Sequence, residues 1–340
     1  RYGNEVNGGA ELHARQLAEQ LNKQYNLEVL TTTALDYDPW ENYYEERTEI
    51  INQVRVRRFS NIQSTNKQLR KARRGIFSRK KYFKFLKYIG LFDFVDQLLD
   101  ISTPTEKDVD YWLKRQGPYC PKMIEYIVKH KDDFDAFIFF TYLYYPTAVG
   151  MPLVRDKSIF IPTAHDEKIM FTKAYENIFS QAAYIMFNSY SEKKLVEDNF
   201  KDVAQQNAVA GVGIPLTPEV PNVTNILKDF SVEGPYFIYI GRIDKSKGCD
   251  ELIAYFERYA VEEPSVKLVL VGKNYMDVVG RDNLLLTGFI DDDLKNALLK
   301  NSEGLIIPSK HESLSMVALE ALAAGKSIIV NGDCEVLRDH

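Results

Sequence analysis

The chain has 340 residues, 45% of them apolar and 27% charged; it is too long for one ordinary hydrophobic core and too apolar for a disordered chain, so two globular domains are expected. A net charge of −5 gives no global attraction to nucleic acid or to an anionic surface, and no nucleic-acid partner is expected. No apolar run reaches the ~18–20 residues of a membrane span, and Cys120, Cys249 and Cys334 are too few and too scattered for a disulfide framework, which points to the cytoplasm.

In chain order, Gly8 and Gly9 lead into a segment of helical spacing, Ala10–Leu21, and then an apolar β-branched run, Glu28–Thr33. From Ile50 to Phe92 there is no acidic residue, while Lys67, Arg70, Lys71, Arg73, Arg74, Arg79, Lys80, Lys81, Lys84 and Lys87 crowd together. Aromatic and aliphatic residues alternate with the later cations. The segment 67–92 reads either as a solvated face packed by its apolar side or as a basic, aromatic helix lying on an anionic membrane. It belongs to a helical insertion at about 60–130. Apolar runs resume at Ala136–Phe140, Ser158–Ile161 and Tyr184–Phe187, with a helix at Glu192–Phe200.

Three prolines and two glycines between Gly211 and Pro221 interrupt the alternation and read as an interdomain linker. The expected domains are 1–213 and 214–340. Beyond the linker come strands Phe237–Ile240, Lys267–Val271, Gly304–Ile307 and Ser327–Val330, separated by helices Asp250–Tyr259, Asp292–Lys300 and Ser315–Ala323. Uninterrupted apolar strands alternating with helices predict α/β architecture: two Rossmann-like, doubly wound parallel-sheet domains. Ligands in such folds sit at the carboxyl ends of strands. The abrupt opening at Arg1 and the helix cut short at His340 predict that both ends are incomplete, the first strand of the first domain being missing.

Two motifs carry chemistry. The run Tyr236–Gly248 is a buried strand emptying into a polar loop that holds Arg242 and Lys247, a guanidinium and an ammonium suited to a diphosphate leaving group. Two cations before a helix N-terminus, which favours anions, need a reason. In the second motif a strand ends at Pro308, Glu312 lies in a polar turn, and Glu320 lies inside the following helix. Eight helical steps span ~12 Å, comparable to a sugar–diphosphate–ribose. The amides of the first turn lie between the carboxylates and can receive a phosphate. Spacing alone also fits a turn acid and a helix-surface charge.

The pattern Gly-Arg-x4-Lys-Gly followed by Pro-Ser-x2-Glu-x7-Glu-Ala-x3-Gly resembles the donor site of retaining glycosyltransferase family 4, the "group 1" GT-B enzymes. Gly8-Gly-Ala-Glu-x-His resembles that family's glycine-rich loop, and Thr163-Ala-His165-Asp166 its histidine loop. The resemblance implies a GT-B fold, two domains facing a cleft, and transfer of a hexose from a UDP- or GDP-hexose, which is a substrate and not a cofactor. By it, Arg242 and Lys247 hold the diphosphate, Glu312 the hexose and Glu320 the ribose. Gly241 and the turn amides of Leu314, Ser315 and Met316 reach phosphate and sugar, Phe289 and Ile290 lie against the base, and His165, with the Gly8–Gly9 loop, faces the sugar. One departure is Glu312-Ser-Leu-Ser315, where the family often has Glu-Gly-Phe-Gly; it bears on sugar identity more than on family. Gln116-Gly-Pro, Thr141-Tyr-Leu-Tyr-Tyr-Pro-Thr and Asn331-Gly-Asp-Cys-Glu-Val-Leu resemble a bacterial subgroup tied to surface polysaccharide, which implies a glycan or lipid-linked acceptor and work at the inner membrane face.

Other motifs fail on their context. Asp291-Asp-Asp293 matches a DxD metal site but directly precedes a helix, where acids cap the first turn. His311-Glu312 lacks the second histidine of a zinc motif, since residue 315 is serine. His13 and His130 read as helix-face residues. No metal site is expected. The rival readings are a GT-B epimerase, a phosphorylase-like enzyme and a nucleotide-sugar binder without activity; the last requires loss of donor contacts that are all present.

Overall fold

The computed structural model describes residues 1–6, 8–37, 39–77, 84–99, 102–214 and 234–339, without the side chains of Lys84 and Lys87. The linker beyond Ile214 therefore lies outside the described residues, as do Arg79, Lys80 and Lys81. The chain divides into two compact units, Arg1–Ala210 and Gly211–His340.

The first unit opens with α1 (Gly9–Leu21), β1 (Glu28–Thr32), β2 (Thr48–Ile51) and β3 (Val54–Phe59). β1 and β3 pair in parallel, and β2 is added antiparallel to β3. This hairpin departs from the all-parallel expectation. Its cause is a two-residue turn, Asn52–Gln53, with φ of 48° and 68°, the twist that joins antiparallel neighbours. The predicted insertion is helical over its described residues: α2 (Asn66–Phe77), α3 (Lys84–Tyr88), α4 (Phe92–Leu99), α5 (Glu106–Gln116) and α6 (Pro121–His130). Thr105 and Asp108 form a reciprocal capping box that starts α5, and α2 packs along α5.

A parallel sheet follows, ordered β4 (Phe137–Phe140), β5 (Ser158–Ile161), β6 (Tyr184–Phe187), β7 (Asn207–Val209). α7 (Tyr145–Gly150) joins β4 to β5, and α8 (Tyr190–Asn199) follows β6. Phe139, Phe160, Ile185 and Phe187 from this sheet enter one core with Trp112 of α5, Met123 of α6 and Tyr175 from the turns after β5.

The second unit is a five-stranded parallel sheet, ordered β10 (Leu284–Gly288), β9 (Lys267–Val271), β8 (Tyr236–Ile240), β11 (Gly304–Ile307), β12 (Ser327–Val330). Its helices are α9 (Cys249–Glu262), α10 (Asp292–Asn301), α11 (Met316–Ala323) and the short α12 (Glu335–Arg338). The period-2 alternation is explicit. Tyr236 and Ile238 of β8, with Val269 and Val271 of β9, enter a core with Leu298 of α10 and Ala318 of α11. Tyr239 of β8, with Leu268 and Leu270, enters a second core with Leu252 and Phe256 of α9. A strand buried on both faces must be apolar throughout, which is why these runs were legible. Among the described residues no helix is long and apolar enough to cross a membrane.

Candidate functional site

In the second unit the chemistry-bearing residues gather at the carboxyl ends of the strands. β8 runs into Gly241 (φ 155°), whose amide bonds Val271 O at 2.9 Å, and Gly272 (φ 136°) crosses beside it at the end of β9. A Cβ on Gly272 would collide with Gly241 O, so the two strand ends touch through backbone alone. The Gly272 amide in turn bonds Gly288 O at 2.9 Å, which ties in the end of β10.

Arg242 and Lys247 lie on the loop that follows β8. Asp244 organises that loop: it accepts the Lys247 amide at 3.0 Å and stands 3.6 Å from Arg242 Nε. The Tyr239 hydroxyl donates to Arg242 O at 2.6 Å, and burial pushes that phenol's pKa up. Gly248 (φ 74°) then starts α9, and a Cβ there would stand 2.8 Å from Pro308 O. That close approach brings the loop after β8 against the loop after β11. Across it, Lys247 Nζ meets Glu312 Oε1 at 2.7 Å. The reason for two cations before a helix start is thus local: Asp244 and Glu312 supply the opposing charge.

The turn from Pro308 to Ser315 delivers α11. Ser315 takes a left-handed conformation (φ 64°), makes no side-chain cap, and offers its carbonyl to Ala318 and Leu319 at 3.1 and 3.4 Å. Leu314 and Met316 bury their side chains and so contribute backbone at the turn. Glu320, one turn further, is only 11% exposed and accepts Lys295 Nζ of α10 at 3.0 Å. Burial opposes the charge on Lys295, but Glu320 and Asp292, the latter at 3.1 Å, outweigh it and hold its pKa above the ordinary lysine value. Glu320 Oε2 is buried without a hydrogen-bond partner. A carboxylate oxygen in that state is costly unless something outside the chain bonds it. Asp291 caps α10 by accepting the Leu294 amide at 2.8 Å, as its position before a helix predicts. Phe289 is exposed, whereas Ile290 packs against the core.

In the first unit Gly8 (φ 144°) precedes α1, and a Cβ there would collide with the Glu11 carboxylate; Gly9 is the first residue of the helix. His13 of α1 meets Phe140 edge-on at 5.2 Å, and burial lowers its pKa; His130 ends α6 and pairs with Asp133 at 2.6 Å. His165 lies in the irregular loop after β5, with Nε2 3.6 Å from Glu167 Oε1, and Glu167 accepts the Tyr142 hydroxyl from the loop after β4. Thr141 and Thr163, at the ends of adjacent strands, have φ of 62° and 49°. Non-glycine residues held there cluster at functional sites. Lys295, Gly272 and the Glu167–Tyr142 pair were not singled out in sequence. Each acts on a residue distant in the chain, so no local motif announces it.

Residues 228–339 match the sequence model of glycosyl transferases group 1. The lipopolysaccharide 1,2-N-acetylglucosaminetransferase of Salmonella typhimurium is 30% identical over 125 residues, 32% of each chain. The chain spans only 26% and 42% of two archaeal glycosyltransferases of Methanocaldococcus jannaschii that it also matches. In three dimensions it is similar to sucrose-phosphate synthase from Thermosynechococcus elongatus, with a TM-score of 0.64, 17% identity, and coverage of 96% of this chain and 76% of that one. It is also similar to Anabaena HepE, solved in complex with UDP and glucose, with a TM-score of 0.60, 13% identity, and coverage of 97% and 79%. The chain has the GT-B fold, and its second unit carries the group 1 glycosyltransferase match.

Proposed function

We propose that the protein is a retaining, metal-independent hexosyltransferase of family 4. It would use a nucleoside-diphosphate sugar, UDP- or GDP-linked, and pass the hexose to a glycan or lipid-linked acceptor in surface-polysaccharide synthesis. The observation that carries the reading is the pairing pattern of the two glutamates. Glu312 meets a cation of the diphosphate loop, while Glu320 sits deeper on α11 with one buried oxygen unpartnered. A ribose hydroxyl satisfies that oxygen, a diphosphate takes Arg242, Lys247 and the first-turn amides of α11, and a hexose lies by Glu312. His165 and the Gly8–Gly9 loop are assigned to the sugar. The likeness to HepE, solved with UDP and glucose, supports a UDP-sugar.

In the reaction the acceptor oxygen attacks the anomeric carbon on the face from which the nucleoside diphosphate departs. The bond from that carbon to the phosphate oxygen breaks, and the acceptor's proton goes to the departing oxygen. Arg242, Lys247 and the α11 terminus stabilise the charge that develops there. Peripheral contact with the inner membrane face belongs to the same reading. Phe85, Leu91, Phe94 and Leu98 of α3, α4 and the turn between them are exposed, Tyr88 is 89% exposed, and the sequence leading to them, from Ile50 to Phe92, is acid-free, although α4 itself carries Asp93 and Asp96.

The test is a panel of UDP-, GDP- and ADP-hexoses with lipid-linked glycan acceptors in excess EDTA, products read by NMR. Transfer with the donor's anomeric configuration kept is expected. Inversion, or activity restored only by manganese or magnesium, overturns the mechanism; absence of transfer from every donor overturns the activity.

A further inference from the structure

His165 stands on a loop without regular secondary structure, so something must fix its backbone. The residue before the preceding one, Thr163, is held at φ 49°, and Ala164 is buried. The Ala164 amide has one hydrogen-bond acceptor: Glu192 Oε1, at 2.5 Å. Glu192 belongs to the first turn of α8, 1% exposed, and its other oxygen accepts the Asn188 amide at 2.6 Å. Ser189 and Glu192 have the spacing of a reciprocal cap, and Ser189 does accept the Glu192 amide at 3.0 Å. The glutamate does not return to the Ser189 amide. It bridges instead from the end of β6 to the loop after β5.

A buried carboxylate is an expensive way to satisfy two amides that water or a serine hydroxyl could satisfy at the surface. The desolvation pushes its pKa up to about 8 against the help of both amide bonds. What the arrangement achieves is a fixed path for residues 163–165. Without the acceptor, the Ala164 amide is buried and unsatisfied, and Thr163 is free to leave its strained conformation for an extended one. Both changes swing His165 away from its present position.

We propose that Glu192 is a positioning residue: its carboxylate grips the Ala164 amide and thereby sets His165 for the sugar. The inference rests on the proposed assignment of His165 to the sugar, and the experiment separates the two. Turnover is measured for the whole chain, wild type, Glu192→Gln, His165→Ala and the double variant. The donor is whichever of UDP-glucose, UDP-galactose, GDP-mannose and ADP-glucose is turned over fastest. In the amide variant one of the two N–H groups faces an NH2 group in place of an acceptor. The expected result is a 10- to 100-fold lower kcat for Glu192→Gln with the Kd for the free nucleoside diphosphate within twofold, and no further loss when it is added to His165→Ala. A purely structural Glu192 gives the same factor in both backgrounds, and that additivity overturns the proposal. If His165→Ala alone keeps full turnover, the assignment of His165 falls and the positioning falls with it. If Glu192→Gln does not fold, Glu192→Asp, which keeps the carboxyl group and shortens the reach, runs through the same cycle with the same two outcomes.

Discussion

Lys247 Nζ lies 2.7 Å from Glu312 Oε1, so the cation assigned to the diphosphate and the carboxylate assigned to the hexose hold each other across two loops. The pair is partly buried, which makes an unmatched charge there more costly than at the surface. Lys247→Met leaves Glu312 as a bare anion beside the place of the phosphates. UDP affinity is expected to fall 10- to 150-fold, about 1.5–3 kcal/mol for a charge-assisted bond. Adding Glu312→Gln to that variant should recover part of the loss by removing the repulsion. Calorimetric titration of UDP into both variants decides it; equal affinities in the two would mean that Glu312 exerts no field on the phosphates.

Ser315 occupies a left-handed position (φ 64°) where the family pattern often has glycine. An L-residue there costs roughly 1–2 kcal/mol, part of which a glycine gives back as unfolded-state entropy. Its side chain makes no cap that a glycine would lose. Ser315→Gly is therefore expected to raise thermal stability by a few degrees. A lower melting temperature by calorimetry would show that the hydroxyl has a structural role after all.

What the sequence revealed and concealed follows from how each signal is stored. The eight strands expected from apolar runs are all present: those buried on both faces, such as β8 and β9, write themselves as consecutive apolar residues, and β4 and β12 keep the apolar run although one face of each is partly exposed. Four further strands, β2, β3, β7 and β10, were passed over. β3, Val54-Arg-Val-Arg-Arg-Phe59, is central in its sheet but carries Arg55 and Arg57 on its less buried face. β2 and β7 are only four and three residues long, and the apolar run that opens β10 is only three leucines, Leu284–Leu286. Arg242, Lys247, Glu312 and Glu320 stood out as candidates because each fragment of the candidate site is contiguous in the chain. Lys295 and Glu192 did not, since both look like ordinary helix charges until packing brings them to Glu320 and to Ala164. Asp244 was hidden between the two cations: it pairs with Arg242 and fixes the Lys247 backbone amide.

Glu192 makes stability depend on pH in a direction opposite to most carboxylates. Burial raises its pKa from the ordinary 4.5 to about 8. Between those values the folded chain keeps a proton that the unfolded chain has released, so stability falls as pH rises through that window and levels off above it. Unfolding free energies from urea titrations at pH 5.5 and 8 should differ for the wild type by an amount on the order of 2–3 kcal/mol. Glu192→Gln cannot titrate and should lose this component of the slope. An identical slope in the two proteins would place the titration elsewhere.

The exposed aromatic face of α3 and α4 predicts lipid binding that depends on both apolar insertion and charge. Phe85→Ser with Tyr88→Ser should lower co-sedimentation with vesicles containing phosphatidylglycerol, while vesicles of phosphatidylcholine alone should retain little of either protein. Affinity for free UDP should be unchanged, since no residue assigned to the nucleotide lies on α3 or α4. Equal sedimentation of variant and wild type would return the segment to a solvated face.

The two glutamates of the α11 region are expected to separate by what they bind. Glu320, with Oε2 buried and unpartnered and Oε1 on Lys295, is the residue proposed to hold the ribose, which free UDP and the intact donor share. Glu320→Ala should weaken both by 10- to 150-fold, again the ~1.5–3 kcal/mol of a bond to a charged group. Glu312 is the residue proposed to hold the hexose, and its removal would release Lys247 from the ion pair for the phosphates. Glu312→Ala should therefore leave UDP affinity unchanged or slightly improved while lowering turnover and sugar discrimination. Lys295 acts through Glu320: Lys295→Met should weaken UDP in the wild type and add little to Glu320→Ala, because its effect on the nucleotide passes through the carboxylate it holds. Two helix charges of purely structural value would instead give small stability losses and no asymmetry between nucleotide and donor. Titration of UDP and of donor into the three single variants and the Lys295/Glu320 double variant reads every term. Loss of UDP binding by Glu312→Ala with retention by Glu320→Ala would reverse the two ends of the donor and overturn the orientation proposed for it.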